Sequence, residues 1–143
     1  MEPEIANLVS STHLAEIGRL WQGIPPAMPM DDVVNLVFEF QSQGRPRILR
    51  LSHSSHRTQT QILAELHWID YLVRGGVSAA RPVPSQNDRW VEMIEVPGSY
   101  FTATVFERAV GKPLDRSHPD FHAPTFYRNW GRTIGRMLSL IHI

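Results

Sequence analysis

"RPRILRLSHSSHRTQTQILAELHWIDYLVRGGV", residues 45–77, lays a basic strand, a polar break and a long amphipathic helix end to end. Along a strand successive side chains alternate, so in "RPRILRLS" Leu49 and Leu51 share one face while Ile48, Arg50 and Ser52 share the other. The helix is expected from about Thr58 to Arg74, with Ile62, Leu66, Ile69 and Val73 as its apolar stripe and Leu63 and Leu72 widening it. A glycine in "RGGV" supplies the stop. At about 100° per residue, Glu65 lies roughly 60° from the centre of that stripe, on the shoulder of the buried face. A carboxylate there is costly to desolvate unless it is paired. Arg50 on the preceding strand can meet it through a forked ion pair, which leaves spare donors for an anion. If Leu49 and Leu51 are the residues that meet the helix, Arg50 projects from the opposite surface and must reach Glu65 around an edge. Spacing alone also allows a purely structural pair, or two separately solvated residues.

Outward from this stretch, the pattern is of one α+β plan. An opening helix places Leu14, Ile17, Gly18 and Trp21 on one face, and the prolines of "GIPPAMP" break it. "DVVNLVFEF" (32–40) is rich in β-branched and aromatic residues and sets Leu36, Phe38 and Phe40 on one side. With the turn "QSQG" it forms a hairpin to residues 45–52. Short strands are expected around "ARPVPS" (80–85), "RWVEMIEV" (89–96) and "YFTATVFERAV" (100–110), with a "PGS" turn between the last two and the loop "GKPLDRSHPD" after them. The closing helix, "APTFYRNWGRTIGRMLSLIHI", carries Phe126, Trp130, Ile134, Met137 and Ile141 on one face and Arg128, Arg132 and Arg136 on another. Ending on "SLIHI" without cap, glycine or polar tail, it reads as a helix cut short.

Composition narrows the class. Lys+Arg 14 balance Asp+Glu 14, so no global field recruits nucleic acid or an acidic membrane. Lys112 is the sole lysine among the cations, and arginine favours forked recognition of carboxylate and phosphate. Cys 0 excludes disulfides and thiolate metal sites. The N-terminus has neither the basic segment nor the unbroken apolar core of a signal peptide, and no apolar run approaches the roughly 20 residues of a membrane span. A cytoplasmic protein is expected.

Taken in order and spacing, "NLVFEF", "RILRLS", "ILAELHWIDYLVRGGVSAARPVPS" and "TVFERAVGKPL" resemble the N-terminal lobe of a protein-kinase-like fold. More closely, they resemble the aminoglycoside phosphotransferase family, which includes homoserine-kinase-like and choline-kinase-like members. The segments cover residues 35–52, 62–85 and 104–114, and "GRTIGRMLSLIH" is similar to the helix that leads into that family's second lobe. The resemblance implies an antiparallel sheet with one long packing helix over residues 31–111, preceded by a helix and Pro-rich lead-in (1–30) and followed by a loop and linking helix (112–143).

It also implies ATP with Mg²⁺ as cofactors, and a small polar hydroxyl compound as phosphoryl acceptor. Arg50 would sit where the family keeps a cation on the α- and β-phosphates, Glu65 would orient it, and Asn35 would lie in the segment covering the phosphates. Glu107 and Ala109 would form the hinge that reads the adenine edge through backbone groups. Two departures bear on this. Arg stands where the family usually has Lys, which changes a point charge into a fork. "PMDDVVNLVF" contains no glycine, and Asp31 and Asp32 there would repel phosphate if turned inward.

Phosphoryl transfer further needs a base and metal-binding acids, supplied in kinase-like enzymes by an H-x-D-x-x-x-x-N loop and a later Asp. "HPD" (118–120) is followed by Thr125 in the Asn position and reads as a proline-bearing turn before a helix. The catalytic loop is expected beyond Ile143, so this chain alone is expected to be inactive, with its metal ligands in the absent lobe. His118 with His122, and the "HSSH" pair (53–56), each lack a third ligand and read as surface histidines. Gly131 and Gly135 form G-x-x-x-G, for which close helix packing is the simple explanation, since the neighbouring arginines exclude a membrane helix. The competing readings are a non-catalytic α+β binding or regulatory module, and a lobe that forms a homodimer through the exposed face of its last helix.

Overall fold

The computed structural model describes residues 3–23, 28–30, 34–111 and 116–141, with the backbone alone at 3 and 28–30. Asp31, Asp32 and Lys112 lie outside the described residues. The elements run α1 (Pro3–Ala6), α2 (Ser11–Leu20), β1 (Met28–Met30), β2 (Leu36–Ser42), β3 (Arg45–His53), α3 (Gln59–Arg74), β4 (Pro82–Val83), β5 (Glu92–Val96), β6 (Ser99–Glu107) and α4 (Pro124–Ile141). A short 3₁₀ turn, Pro119–His122, precedes α4 with His118 as its N-cap, so "HPD" is the turn before a helix that the sequence suggests.

The six strands form one sheet in the order β1-β2-β3-β6-β4, and β5 pairs with β6. All pairings are antiparallel. β3 covers one edge of β6, while β5 (along residues 99–103) and β4 (along 105–106) share the other. β2 extends two residues beyond "DVVNLVFEF", and the hairpin turns tightly on Gln43 (φ 51°) and Gly44 (φ 71°). Positive φ at both central residues matches the right-handed twist of the flanking strands.

Leu49 and Leu51 do not meet the long helix. They pack with Phe38, Phe40, Ala103 and Val105 against Ile17 and Trp21 of the α2 end, forming the larger apolar core. Ile17 (1% exposed) and Leu51 (0%) sit at its centre. Trp21 Nε1 donates to Val83 O at 2.8 Å, which ties this helix end to β4. α3 lies on the other face, where Ile62 and Leu66 pack on Phe106 and Val91. Its start is marked by a capping box, Thr58 Oγ1 accepting from Gln61 N and Gln61 Oε1 accepting from Thr58 N.

α4 has no buried residue along its length. It touches α3 near its C-terminal end, where Tyr71 donates its hydroxyl proton to Leu140 O at 3.0 Å and Leu140 closes on Gly75. Trp130 (59% exposed), Ile134 (39%) and Ile141 (53%) stand open. The packing expected of the G-x-x-x-G pair is not found: a Cβ on Gly131 or Gly135 would meet nothing within 4 Å among the described residues.

Where β3 ends, His53 is buried edge-on against Phe101, its ring nitrogens within reach of Ser55 Oγ (2.7 Å) and Ser99 Oγ (2.9 Å). Burial, and then the neighbouring His56, lower its pKa from 6.5. The unfolded chain therefore binds this proton at a pH where the folded chain does not, so stability rises with pH in that window. Stability is expected to fall as pH drops from about 6.5 toward the lowered folded value, and His53→Asn should flatten that slope in urea unfolding measured at several pH values.

Candidate functional site

Arg50 occupies the middle of β3, between Val37 on β2 and Thr104 on β6. It shares a face with Ile48, Ser52 and Phe106, and that is the face on which α3 packs. The link from β3 to α3 is only five residues (54–58), so the helix folds directly back over the strand. From Thr58 to Glu65 the helix climbs about 10 Å at roughly 1.5 Å per residue. From His53 back to Arg50 the strand covers about the same distance at roughly 3.3 Å per residue. Glu65 and Arg50 therefore arrive at the same height, and no reach around a sheet edge is needed.

Arg50 Nη1 donates to Glu65 Oε1 at 2.7 Å, with the two side chains 19% and 26% exposed. The guanidinium carbon lies 5.0 Å from the centre of the Phe106 ring, which fixes the plane of the fork. The contact is not a two-pronged fork. The other carboxylate oxygen, Oε2, accepts from Arg57 Nη1, so Glu65 bridges two arginines. Each arginine meets a single oxygen. Arg50 Nε and Nη2 are consequently buried with no hydrogen-bond partner among the described residues. Buried donors left unpaired cost free energy, which a ligand with acceptor oxygens would recover.

These donors belong to a cleft of about 300 Å³ lined by Asn35, Arg50, Ser52, His56, Arg57 and Glu65. Ser52 Oγ donates to Asn35 Oδ1 at 2.6 Å, holding the segment before β2 against the rim. Two guanidiniums against one carboxylate leave a net positive charge. A wider depression of about 520 Å³ lies on the far flank of α3, around Leu63, His67 and Trp90. Of the three unpartnered buried side-chain donors among the described residues none belongs to it; Arg47 Nε borders a separate cleft beside Trp21 and Gln43, and the two on Arg50 belong to the Glu65 cleft.

Of the five residues singled out in the sequence, the structure brings Arg50, Glu65 and Asn35 together. Glu107 and Ala109 stand apart, at and beyond the end of β6. Glu107 lies three residues past Thr104, the partner of Arg50, which is about 10 Å along the sheet. Its N–H donates to Arg81 O at 2.8 Å, and its carboxylate is 3.5 Å from Arg47 Nη1. Ala109 is exposed. Ser52, His56 and Arg57 were missed. Strand alternation already put Ser52 beside Arg50. Arg57 was findable from the tendency of helical side chains to lean toward the N-terminus, which aims Glu65 at the residue before the cap. Among the described residues no group of three His, Asp or Glu could hold a metal ion, His118 with His122 included.

Residues 30–142 match the phosphotransferase enzyme family (APH), and the chain belongs to that family. It is 36% identical over 110 residues to the amicoumacin kinase of Bacillus subtilis (strain 168), covering 76% of this chain and 32% of that protein. It superimposes with a TM-score of 0.81 and 28% identity on a solved amicoumacin kinase, hAmiN, in complex with AMP-PNP, Ca²⁺ and Ami, covering 98% of this chain and 42% of that one. A microcompartment-associated aminopropanol kinase shares the fold at a TM-score of 0.63 and 17% identity. The antiparallel sheet with its packed helix is thus a kinase-like fold, and the chain spans about a third of the length of the curated relative it matches.

Glu65→Ala should destabilise the chain by about 1–3 kcal/mol in denaturant unfolding, because it strands a half-buried guanidinium. Arg57→Ala, at a side chain 53% exposed, should cost under about 1 kcal/mol. The double variant Arg50→Ala/Glu65→Ala should lose less than the sum of its singles.

Proposed function

We propose that residues 31–111 form the nucleotide-binding lobe of a small-molecule kinase. In the whole protein, the terminal phosphoryl group of ATP would pass to a hydroxyl oxygen of a small polar acceptor, with ADP leaving and the hydroxyl proton going to a base. The observation that carries this reading is the pair of buried, unpartnered donors on Arg50, aimed by Glu65 and Phe106 and lying in a cleft of positive charge. A triphosphate supplies the acceptor oxygens those donors lack. Asn35 closes over it from the segment before β2, and the backbone at Glu107 and Ala109 reads the adenine edge. The roughly 10 Å between Arg50 and Glu107 leaves room for a ribose between base and phosphates. Family membership and the AMP-PNP bound by the structural relative support the same assignment. Mg²⁺, when bound, would supply charge neutralisation at the phosphates, and among the described residues no cluster of acids or histidines would hold it.

Titration calorimetry tests this. Mg-ATP should bind the chain, and Arg50→Gln should weaken binding by roughly tenfold or more, the worth of a charge-assisted hydrogen bond. Absence of binding at millimolar Mg-ATP would leave Arg50–Glu65 as a structural pair in a non-catalytic module.

The exposed apolar face of α4 supports a second reading for this chain in isolation, pairing with another copy through Trp130, Ile134, Leu138 and Ile141. Light scattering across a concentration series should show mass rising toward a dimer, and Trp130→Glu/Ile134→Glu should hold it at the monomer mass.

A further inference from the structure

Glu65 meets a different arginine on each oxygen, so the two guanidiniums are held one carboxylate apart in the same cleft. They are not equivalent. Arg50 is clamped on Phe106 at 5.0 Å and its side chain is 19% exposed, whereas that of Arg57 is 53% exposed and stands at the rim. One arginine suffices to neutralise one carboxylate; the second leaves the cleft with a positive charge in excess. Two of the backbone amides at the start of α3 are already engaged by the capping box or the preceding turn, Gln61 N with Thr58 Oγ1 and Arg57 N with His53 O. The exposed guanidinium at this end of the cleft is that of Arg57. Glu65 retains Arg50 through Oε1 whether or not Arg57 remains on Oε2, and an exposed arginine changes partner at little desolvation cost.

We propose that Arg57 is a second phosphate-binding residue, which leaves Glu65 to contact the outer phosphates while Arg50 holds the inner ones, so that the cleft selects tri- and diphosphates over monophosphates. This rests on the nucleotide-binding reading above. Charge on a polyphosphate grows toward its terminal group, and the residue facing that end sets the preference for chain length.

The test is calorimetric titration of the 143-residue chain with ATP and with AMP in EDTA, for the unsubstituted protein, Arg57→Gln and Arg57→Lys. Arg57→Gln is expected to weaken ATP by about tenfold and AMP by less than about twofold, and Arg57→Lys to recover most of the ATP affinity through its retained charge. Equal weakening of both nucleotides by Arg57→Gln would show that Arg57 acts only through Glu65 and would overturn the proposal, as would no weakening at all. Failure of the unsubstituted chain to bind either nucleotide would remove the nucleotide-binding reading and this inference with it. Unchanged thermal melting of the variants identifies the effect as one on binding.

Discussion

The contact between Arg50 and Glu65 determines where α3 can sit. A half-buried carboxylate and a half-buried guanidinium each need a partner, and the 2.7 Å contact between Nη1 and Oε1 gives them one. It contributes little to net stability, since the attraction is largely offset by the cost of taking both charges from water. Its effect is on position. Ile62 and Leu66 seat the helix on Phe106 and Val91. The ion pair adds a polar contact between strand and helix, and because Arg50 and Arg57 each take one oxygen of Glu65, the remaining donors of Arg50 are left to the cleft.

The sheet divides its work between its faces. Toward α2 it is mostly apolar, a core of Phe38, Leu49, Leu51, Phe101 and Val105 with buried Ser42 and His53 at its margins. Toward α3 the apolar cluster is small, and next to it lie Arg50, Ser52, Thr102 and Thr104. The two threonines are fully buried, yet they are satisfied: Thr102 Oγ1 donates to Ser52 O at 3.2 Å and Thr104 Oγ1 to Arg50 O at 3.3 Å. Those bonds stiffen β3 at the very residues that line the cleft. A polar site can be carried on this face because the opposite face supplies most of the hydrophobic stabilisation.

α4 stands outside this arrangement. Its contacts with α3 come near its C-terminal end, through Leu140 with Gly75 and Tyr71, and the rest of its apolar face is open. Gly131 and Gly135 lie on that uncovered length, which is why the close packing their spacing suggests is not realised among the described residues. The matched portion is 32% of the amicoumacin kinase it resembles.

Local rules were enough to read the elements. The period of two in β2 and β3, the period of 3.6 in α3 with its Thr58 cap, and the glycines after Arg74 each depend on neighbours in sequence, so strand faces and helix bounds were legible in advance, whereas spacing left the meeting of Arg50 with Glu65 open. Which helix covers which face was not, because Leu49 and Leu51 satisfy an apolar surface equally well whether it comes from α2 or α3. That choice is made by long-range packing of Ile17 and Trp21, more than twenty-five residues earlier in the chain. The sharing of Glu65 between Arg50 and Arg57, and the separation of Glu107 and Ala109 from the cleft, likewise follow from how the chain folds back on itself. Alternation and periodicity determine which side of an element a residue occupies; only the tertiary fold decides what stands across from it.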